Sequence, residues 1–161
     1  MHPHRIALLQ AMPIFGAIDE STLDFLVERA RAHRVRAGAP FFREGDAATG
    51  MFVIETGRVA VSRHRPGGDF VFGELGPGDC FGEMALMDLQ PRSATVTALE
   101  DCRAFEIGPG DLIELFERDL AQFTLIQMNM GREVCRRLRA TDELLLALEA
   151  GRNPSSRPGA I

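Results

Sequence analysis

The chain has 161 residues, 45% of them apolar, and a formal net charge of −5. At this length one ordinary core can be buried but not two, and no low-complexity block interrupts the composition of a globular protein. The acidic balance offers no general attraction to a nucleic-acid backbone, no run of eighteen apolar residues could span a bilayer, and the start Met1-His2-Pro3-His4-Arg5 lacks the apolar core of a signal peptide; a cytoplasmic protein with neither DNA nor membrane as partner is the expectation.

Residues 4 to 11 can form a short helix, and a second begins near Asp19, a good N-cap, with Leu23, Leu26, Val27 and Ala30 on one face. Short β-branched or aromatic segments punctuated by Gly and Pro then follow: His33–Ala37, Phe41–Glu44, Met51–Glu55, Arg58–Arg63, Phe70–Leu75, Thr95–Leu99 and Arg103–Ile107. Their regular spacing predicts a mainly β fold with flanking helices, an antiparallel β-roll of the jelly-roll kind. Alternation turns Val59 and Val61 to one face of their strand and Phe70 and Phe72 to one face of theirs, an apolar wall of the sort a purine needs for stacking and desolvation.

Two stretches within this β region carry chemistry. Phe81-Gly82-Glu83-Met84-Ala85-Leu86, followed after a short insert by Arg92-Ser93-Ala94-Thr95-Val96, contains the parts needed to hold a cyclic phosphate. A phosphodiester inside a protein requires an opposite charge, backbone N–H donors and room for close approach. Arg92 can fork two donors onto two phosphate oxygens, Gly82 removes a side chain where a ligand must come near, and the turn from Glu83 toward Leu86 can open a helix whose free N–H groups face an anion. Glu83, at the edge of the same site, is an acceptor suited to a ribose hydroxyl. The competing reading is an ordinary Glu83–Arg92 ion pair bracketing a surface turn. Separately, Gly45-Asp46-Ala47-Ala48-Thr49-Gly50 leads through Met51-Phe52-Val53-Ile54 to Glu55-Thr56-Gly57, a turn, a buried strand and another turn.

From Asp111 the apolar period changes from two to about 3.6. A short helix through Leu112, Leu115 and Phe116 breaks near Glu117 to Asp119, and a long one runs to about Glu149. Leu138 and Leu145 repeat at seven, beside Val134, Thr141 and Leu148, which makes a coiled-coil-like seam with Thr141 as its polar member. About thirty helical residues span roughly 45 Å, longer than a small roll can cover, so a parallel homodimer through residues 119–149 is expected over simple packing on the roll. The resulting division is 1–118 for the N-terminal helices and roll, 119–150 for the long helix, and 151–161 for a tail of disordered composition, Gly151-Arg152-Asn153-Pro154-Ser155-Ser156-Arg157-Pro158-Gly159.

The two β-region motifs together resemble the cyclic-nucleotide-binding domain family, of the cAMP receptor protein and kinase regulatory subunit type. The resemblance covers roughly residues 10 to 148. It implies that Glu83 takes the ribose 2′-OH while Arg92 and Ser93 hold the cyclic phosphate, with Gly82, Met84 and Ala85 completing the cassette. Val61, Phe72 and Leu75 resemble residues that line the base and ribose, although Phe72 and Leu75, an odd number apart, require a bulge or strand end between them; ordinary core packing is the alternative for all three. Arg137 matches an Arg close to the ligand and Thr141 a Thr that meets the adenine amino group. Asp142 stands where a Ser is usual and could accept from adenine N6 or from guanine N1–H and N2, so cAMP, cGMP and cyclic di-GMP stay open, with cAMP the first choice; a solvated helix carboxylate is the other reading of Asp142. Phe41-Phe42 replace the usual aliphatic residues before Gly45-Asp46, a packing variation.

The resemblance stops where DNA binding would begin, leaving no room for a helix-turn-helix, so a stand-alone sensor acting on another protein through a ligand-linked helix is expected. A ligand-independent assembly module of the same fold is the alternative. No metal or cofactor is expected: Cys80, Cys102 and Cys135 form no Cys-x-x-Cys pair, an iron–sulfur cluster needs about four thiolates, and haem held by His64 with Cys80 or Pro3 would leave the cassette unexplained. No enzyme is expected either, because the cassette carries no metal-ligand cluster and no nucleophile–base pair of the kind a phosphodiesterase would use.

Overall fold

The computed structural model describes residues 2–152. Helix α1 (Pro3–Gln10), a 3-10 turn (Pro13–Phe15) and helix α2 (Glu20–Arg29) precede eight strands. These are β1 (Arg31–Val35), β2 (Pro40–Phe42), β3 (Met51–Thr56), β4 (Val59–Arg65), β5 (Gly68–Leu75), β6 (Cys80–Phe81), β7 (Thr95–Ala98) and β8 (Cys102–Ile107), with a second 3-10 turn, Glu83–Leu86, between β6 and β7. Helices α3 (Pro109–Arg118) and α4 (Leu120–Arg152) complete the chain. The strands form two antiparallel four-stranded sheets, ordered β1-β8-β3-β6 and β2-β7-β4-β5, which is the expected roll. Two elements escaped the sequence pattern, the Pro13–Phe15 turn and the two-residue strand β6, both too short to show a period.

The sheets and helices enclose two apolar clusters. Phe52, Ile54, Val59, Phe81, Val96, Ala98 and Cys102 fill the space between the sheets. A larger cluster joins Met51, Val53, Phe105 and Ile107, on the other face of the first sheet, to Leu9, Phe15, Leu23, Leu26, Leu115, Ile126 and Met130 from the helices. Alternation thus works on β3, whose neighbouring residues serve different cores, and the first sheet is the shared wall. Arg5 on α1 closes one side by pairing with Glu55 on β3 at 2.8 Å, its guanidinium over the Phe105 ring.

One helix entrance is capped locally and another by a side chain far along the chain. The Asp111 carboxylate reaches back to accept from Gly108 N at 2.7 Å, and Pro109 opens α3 with its φ already fixed. Asp19 holds the N-cap position of α2, but its carboxylate does not cap it. It accepts instead from Gln122 Nε2 at 3.2 Å, while Gln122 Oε1 accepts from Asp19 N at 2.9 Å, so the entrance of α2 is tied to α4.

Helix α4 divides into a docked half and a bare half. Ile126, Asn129 and Met130 are buried, and Asn129 Nδ2 donates to Ile14 O and Gly16 O at 3.1 and 2.9 Å, fastening the helix to the first 3-10 turn. Beyond Glu133 every residue of α4 whose burial is described is exposed, including the whole expected seam: Val134, Leu138, Thr141, Leu145 and Leu148. The helix also runs past its expected end, taking in Gly151 and Arg152; the rest of the tail lies outside the described residues. Among the described residues no helix is long and apolar enough to cross a membrane.

The expected wall of Phe70 and Phe72 is not formed. The β4–β5 hairpin carries a bulge at Phe72, since Val61 pairs with Gly73 and Ser62 with Val71. On this hairpin at the sheet edge Phe70 and Phe72 meet each other edge-on at 5.1 Å and remain half exposed.

Phe105 is fully buried at the junction of sheet and helices. Phe105→Ala should therefore lower the unfolding free energy by about 3–5 kcal/mol, read from urea denaturation with an unchanged m-value.

Candidate functional site

Arg92 lines a cavity of about 340 Å³ between the 3-10 turn Glu83–Leu86, strands β4 and β7, and helix α4. Its side chain is 6% exposed. Backbone bonds fix its place: Arg92 N donates to Asp46 O and Gly45 N donates to Arg92 O, each at 2.8 Å. The Gly45-Asp46 turn and the Arg92 segment, two separate signals in the sequence, are thereby one object. Asp46 spends its carboxylate on Arg43 N at 2.8 Å, so it shapes the turn and does not neutralise Arg92.

The guanidinium is held by neutral groups. Nη2 donates to Gly50 O at 2.8 Å and to Thr49 Oγ1 at 3.3 Å, Nη1 donates to Gly82 O at 3.3 Å, and the Phe42 ring lies 4.0 Å from Cζ. Its Nε is buried with no hydrogen-bond partner, and none of the ion pairs among the described residues includes it. The Glu83–Arg92 ion pair is therefore not what the segment builds. Burial pushes the Arg92 pKa down, with the more distant carboxylates of Glu106, Asp46 and Glu83 opposing the shift. A guanidinium nonetheless stays protonated, so the cavity holds a buried positive charge without a contacting counter-charge.

Gly82 makes this arrangement possible. Its φ is +74°, a left-handed conformation open to glycine, and a Cβ built there would stand 2.5 Å from Arg92 Nη1. The following 3-10 turn is a single turn, so its contribution is the leading N–H groups and no summed dipole.

Gly82, Glu83, Met84, Ala85, Arg92, Ser93, Val61, Leu75 and Arg137 all line this one cavity. Glu83 sits at its edge with a mostly buried side chain, and its carboxylate accepts from Arg137 Nη1 on α4. Thr141 lies outside, on the wall of a neighbouring apolar cavity of about 240 Å³ that shares Glu83, Met84 and Arg137 with the first; its hydroxyl donates back to Arg137 O at 2.9 Å. Phe72 and Asp142 line neither cavity. Phe72, at the bulge of the edge strand, is 54% exposed, and Asp142 sits one step, about 100°, round α4 from Thr141 where the helix is already bare.

Three participants carry no mark of their role in the sequence. Phe42, read as a packing variation, is the ring beneath the guanidinium, and Thr49 and Gly50 supply two of its acceptors. An arginine across the sheet gives no local pattern to such residues. Cys80 also lines the cavity, but burial pushes its thiol pKa up to about 12, so it is a protonated wall group. Among the described residues no group of three or more His, Cys, Asp and Glu is placed to hold a metal ion.

Comparison with known proteins agrees with this geometry. The family model for the cyclic nucleotide-binding domain matches residues 32–119. The cyclic AMP receptor protein of Thermus thermophilus is 31% identical over 148 residues, covering 90% of this chain and 67% of that protein. The crystal structure of the catabolite activator protein from Thermus thermophilus superposes with a TM-score of 0.75 at 29% identity, over 86% of this chain and 63% of that one. The regulatory domain of Toxoplasma gondii PKA, solved with cAMP, gives 0.66 at 28% identity, over 70% of this chain and 43% of that one.

Gly82→Ala should cost about 1–3 kcal/mol of stability through the strained φ and the displaced guanidinium, measured by thermal unfolding. A loss no larger than that of Gly110→Ala, where a Cβ would meet open space, would show that the close approach is relaxed in solution. The matched segment is just over half of the chain and contains both the Gly45-Asp46 turn and the Arg92 cassette, so this protein belongs to the cyclic nucleotide-binding domain family.

Proposed function

We propose that this chain is a cyclic-nucleotide sensor, with cAMP as its ligand, that regulates a protein partner through α4 as a parallel homodimer. The observation that carries the reading is the Arg92 guanidinium, buried without a contacting carboxylate in a cavity bordered by Glu83 and Ser93. Such a charge is costly unless an anion completes it. A cyclic phosphate satisfies that need, Ser93 supplies a hydroxyl donor, and the ribose brings hydroxyls to Glu83. The half-buried Val61 and Leu75 offer apolar cover to the base. cAMP is preferred because it is the ligand named for the Thermus and Toxoplasma relatives. The other candidates are cGMP and cyclic di-GMP.

The bare half of α4 supports self-association. Val134, Leu138, Thr141, Leu145 and Leu148 follow a spacing of four and three, and Leu138 is 60% exposed. A second copy of the same stripe is a natural cover for this apolar seam. Nucleotide then acts by linkage: it shifts the position of α4 only by as much as it prefers one helix position over the other. The second reading, an assembly module that binds no ligand, draws on Glu83 being already paired with Arg137.

Arg92→Ala should cost about 3–5 kcal/mol in cAMP binding, two to three decades or more in Kd, by titration calorimetry. A panel of cAMP, cGMP and cyclic di-GMP should raise the Tm for the true ligand, worth about 2.7 kcal/mol at about 100 times its Kd. No shift with any of the three favours the assembly module. Leu138→Gln combined with Leu145→Gln should sediment as a monomer at concentrations where the parent chain is a dimer; an unchanged sedimentation coefficient would remove the seam from the proposal.

A further inference from the structure

One of the carboxylates that act on Arg92 differs from the other two. Asp46 is spent on Arg43 N, and Glu83 accepts from Arg137. Glu106, on β8, is 5% exposed, with Oε2 at 2.9 Å from His33 Nε2 on β1 and Oε1 buried without a hydrogen-bond partner. A buried carboxylate oxygen left idle is costly unless a positive charge nearby offsets it.

The fold places that positive charge close by. Glu106 lies opposite Phe52 on β3, so its side chain shares the face of that ring and enters the space between the sheets. The Phe52 ring is 5.7 Å from Arg92 Cζ, and the His33 ring meets it edge-on at 5.0 Å. Gly50 joins the two charges more directly. Its carbonyl accepts from Arg92 Nη2 at 2.8 Å, and a Cβ built on it would stand 3.0 Å from Glu106 Cγ. The stem of the carboxylate therefore packs against the residue that holds the guanidinium. Aromatic rings and a glycine backbone screen far less than water, so opposite charges couple here without touching. Of the three carboxylates that hold the Arg92 pKa up against burial, Glu106 contributes most.

We propose that Glu106 is a positioning residue for the anion subsite: across Gly50 its carboxylate balances Arg92 when no anion is bound, and it restrains affinity because a bound anion has to share that cation with it. This inference rests on the nucleotide reading of the cavity and deepens it. A guanidinium backed by a fixed carboxylate keeps its place in the fold through ligand release, and the same carboxylate makes release easier.

The test is a thermal-unfolding cycle of the full chain, Glu106→Gln, Arg92→Met and the double variant, together with calorimetric titration of cAMP into the full chain and Glu106→Gln. All are run at pH 8, on the basic side of the window in which imidazoles change charge. Glu106→Gln keeps the side chain's size and a polar partner for His33 while removing the charge. Its effect on Tm should be about 3–6 °C more unfavourable in the parent than in the Arg92→Met background, where no cation is left to balance. Glu106→Gln should also tighten cAMP binding about 3- to 10-fold, since the phosphate then has Arg92 to itself. A role confined to the His33 bond would give the same Tm change in both backgrounds and an unchanged Kd. The proposal is overturned if the two Tm effects add, or if Glu106→Gln binds cAMP no more tightly than the parent. Arg92→Gln replaces Arg92→Met in the cycle if the latter does not fold. If the parent chain binds no cAMP, the nucleotide reading fails, and the Tm cycle alone decides whether Glu106 balances Arg92.

Discussion

A buried guanidinium without a carboxylate in contact is the constraint around which the roll is built. Arg92 is held by carbonyls of Gly50 and Gly82, the hydroxyl of Thr49 and the face of Phe42, groups that fix its direction and leave its charge in place. Carbonyl dipoles offset part of the desolvation cost, and an anion can supply the remainder. Several features of the chain follow from that one requirement. Position 82 has to lack a Cβ, the Gly45-Asp46 turn bonds the Arg92 backbone on both sides, and in this chain Phe42 presents a ring to the guanidinium where the family usually has an aliphatic side chain.

The same constraint explains why stability and binding are joined in this fold. Phe42, Phe52 and Phe81 contact one another between the sheets, and both Phe42 and Phe52 lie near the Arg92 guanidinium, so the floor of the cavity is also the second core. Movement of the guanidinium is felt by packed aromatic rings, and packed interiors have discrete arrangements and little slack. Helix α4 is fastened differently. Its docked half is held by Ile126, Met130 and the Asn129 bonds to the first 3-10 turn, whereas its link to the cassette is the half-exposed Arg137. A buried anchor with a polar, partly solvated latch beyond it is a construction in which one end of a helix can shift while the other stays seated.

Much of this was legible in the chain before any coordinates. The roll, the two helical ends and the cassette follow from short apolar segments punctuated by Gly and Pro, from a change of period at Asp111, and from a few residue types at close spacing. These are local signals. A turn needing glycine, a strand needing alternation and a cassette contained in some dozen residues each write themselves within a window that a reader can scan. The face of Phe72 was not legible in that way, because a single bulge shifts alternation and sequence does not mark where the partner strand slips.

Sequence alone therefore determined the architecture and singled out Glu83 and Arg92 of the candidate site, since both depend on neighbours along the chain, whereas Asp142, also named from sequence, lies outside the cavity. Tertiary structure decided what those residues do to one another. It put Phe42, Thr49 and Gly50 around Arg92, ruled against the competing Glu83–Arg92 pair, and gave Glu83 to an arginine 54 residues away. The physical reason is that electrostatic partnership is settled by distance and burial in the folded state, and residues far apart in the chain acquire both only when sheets and helices close.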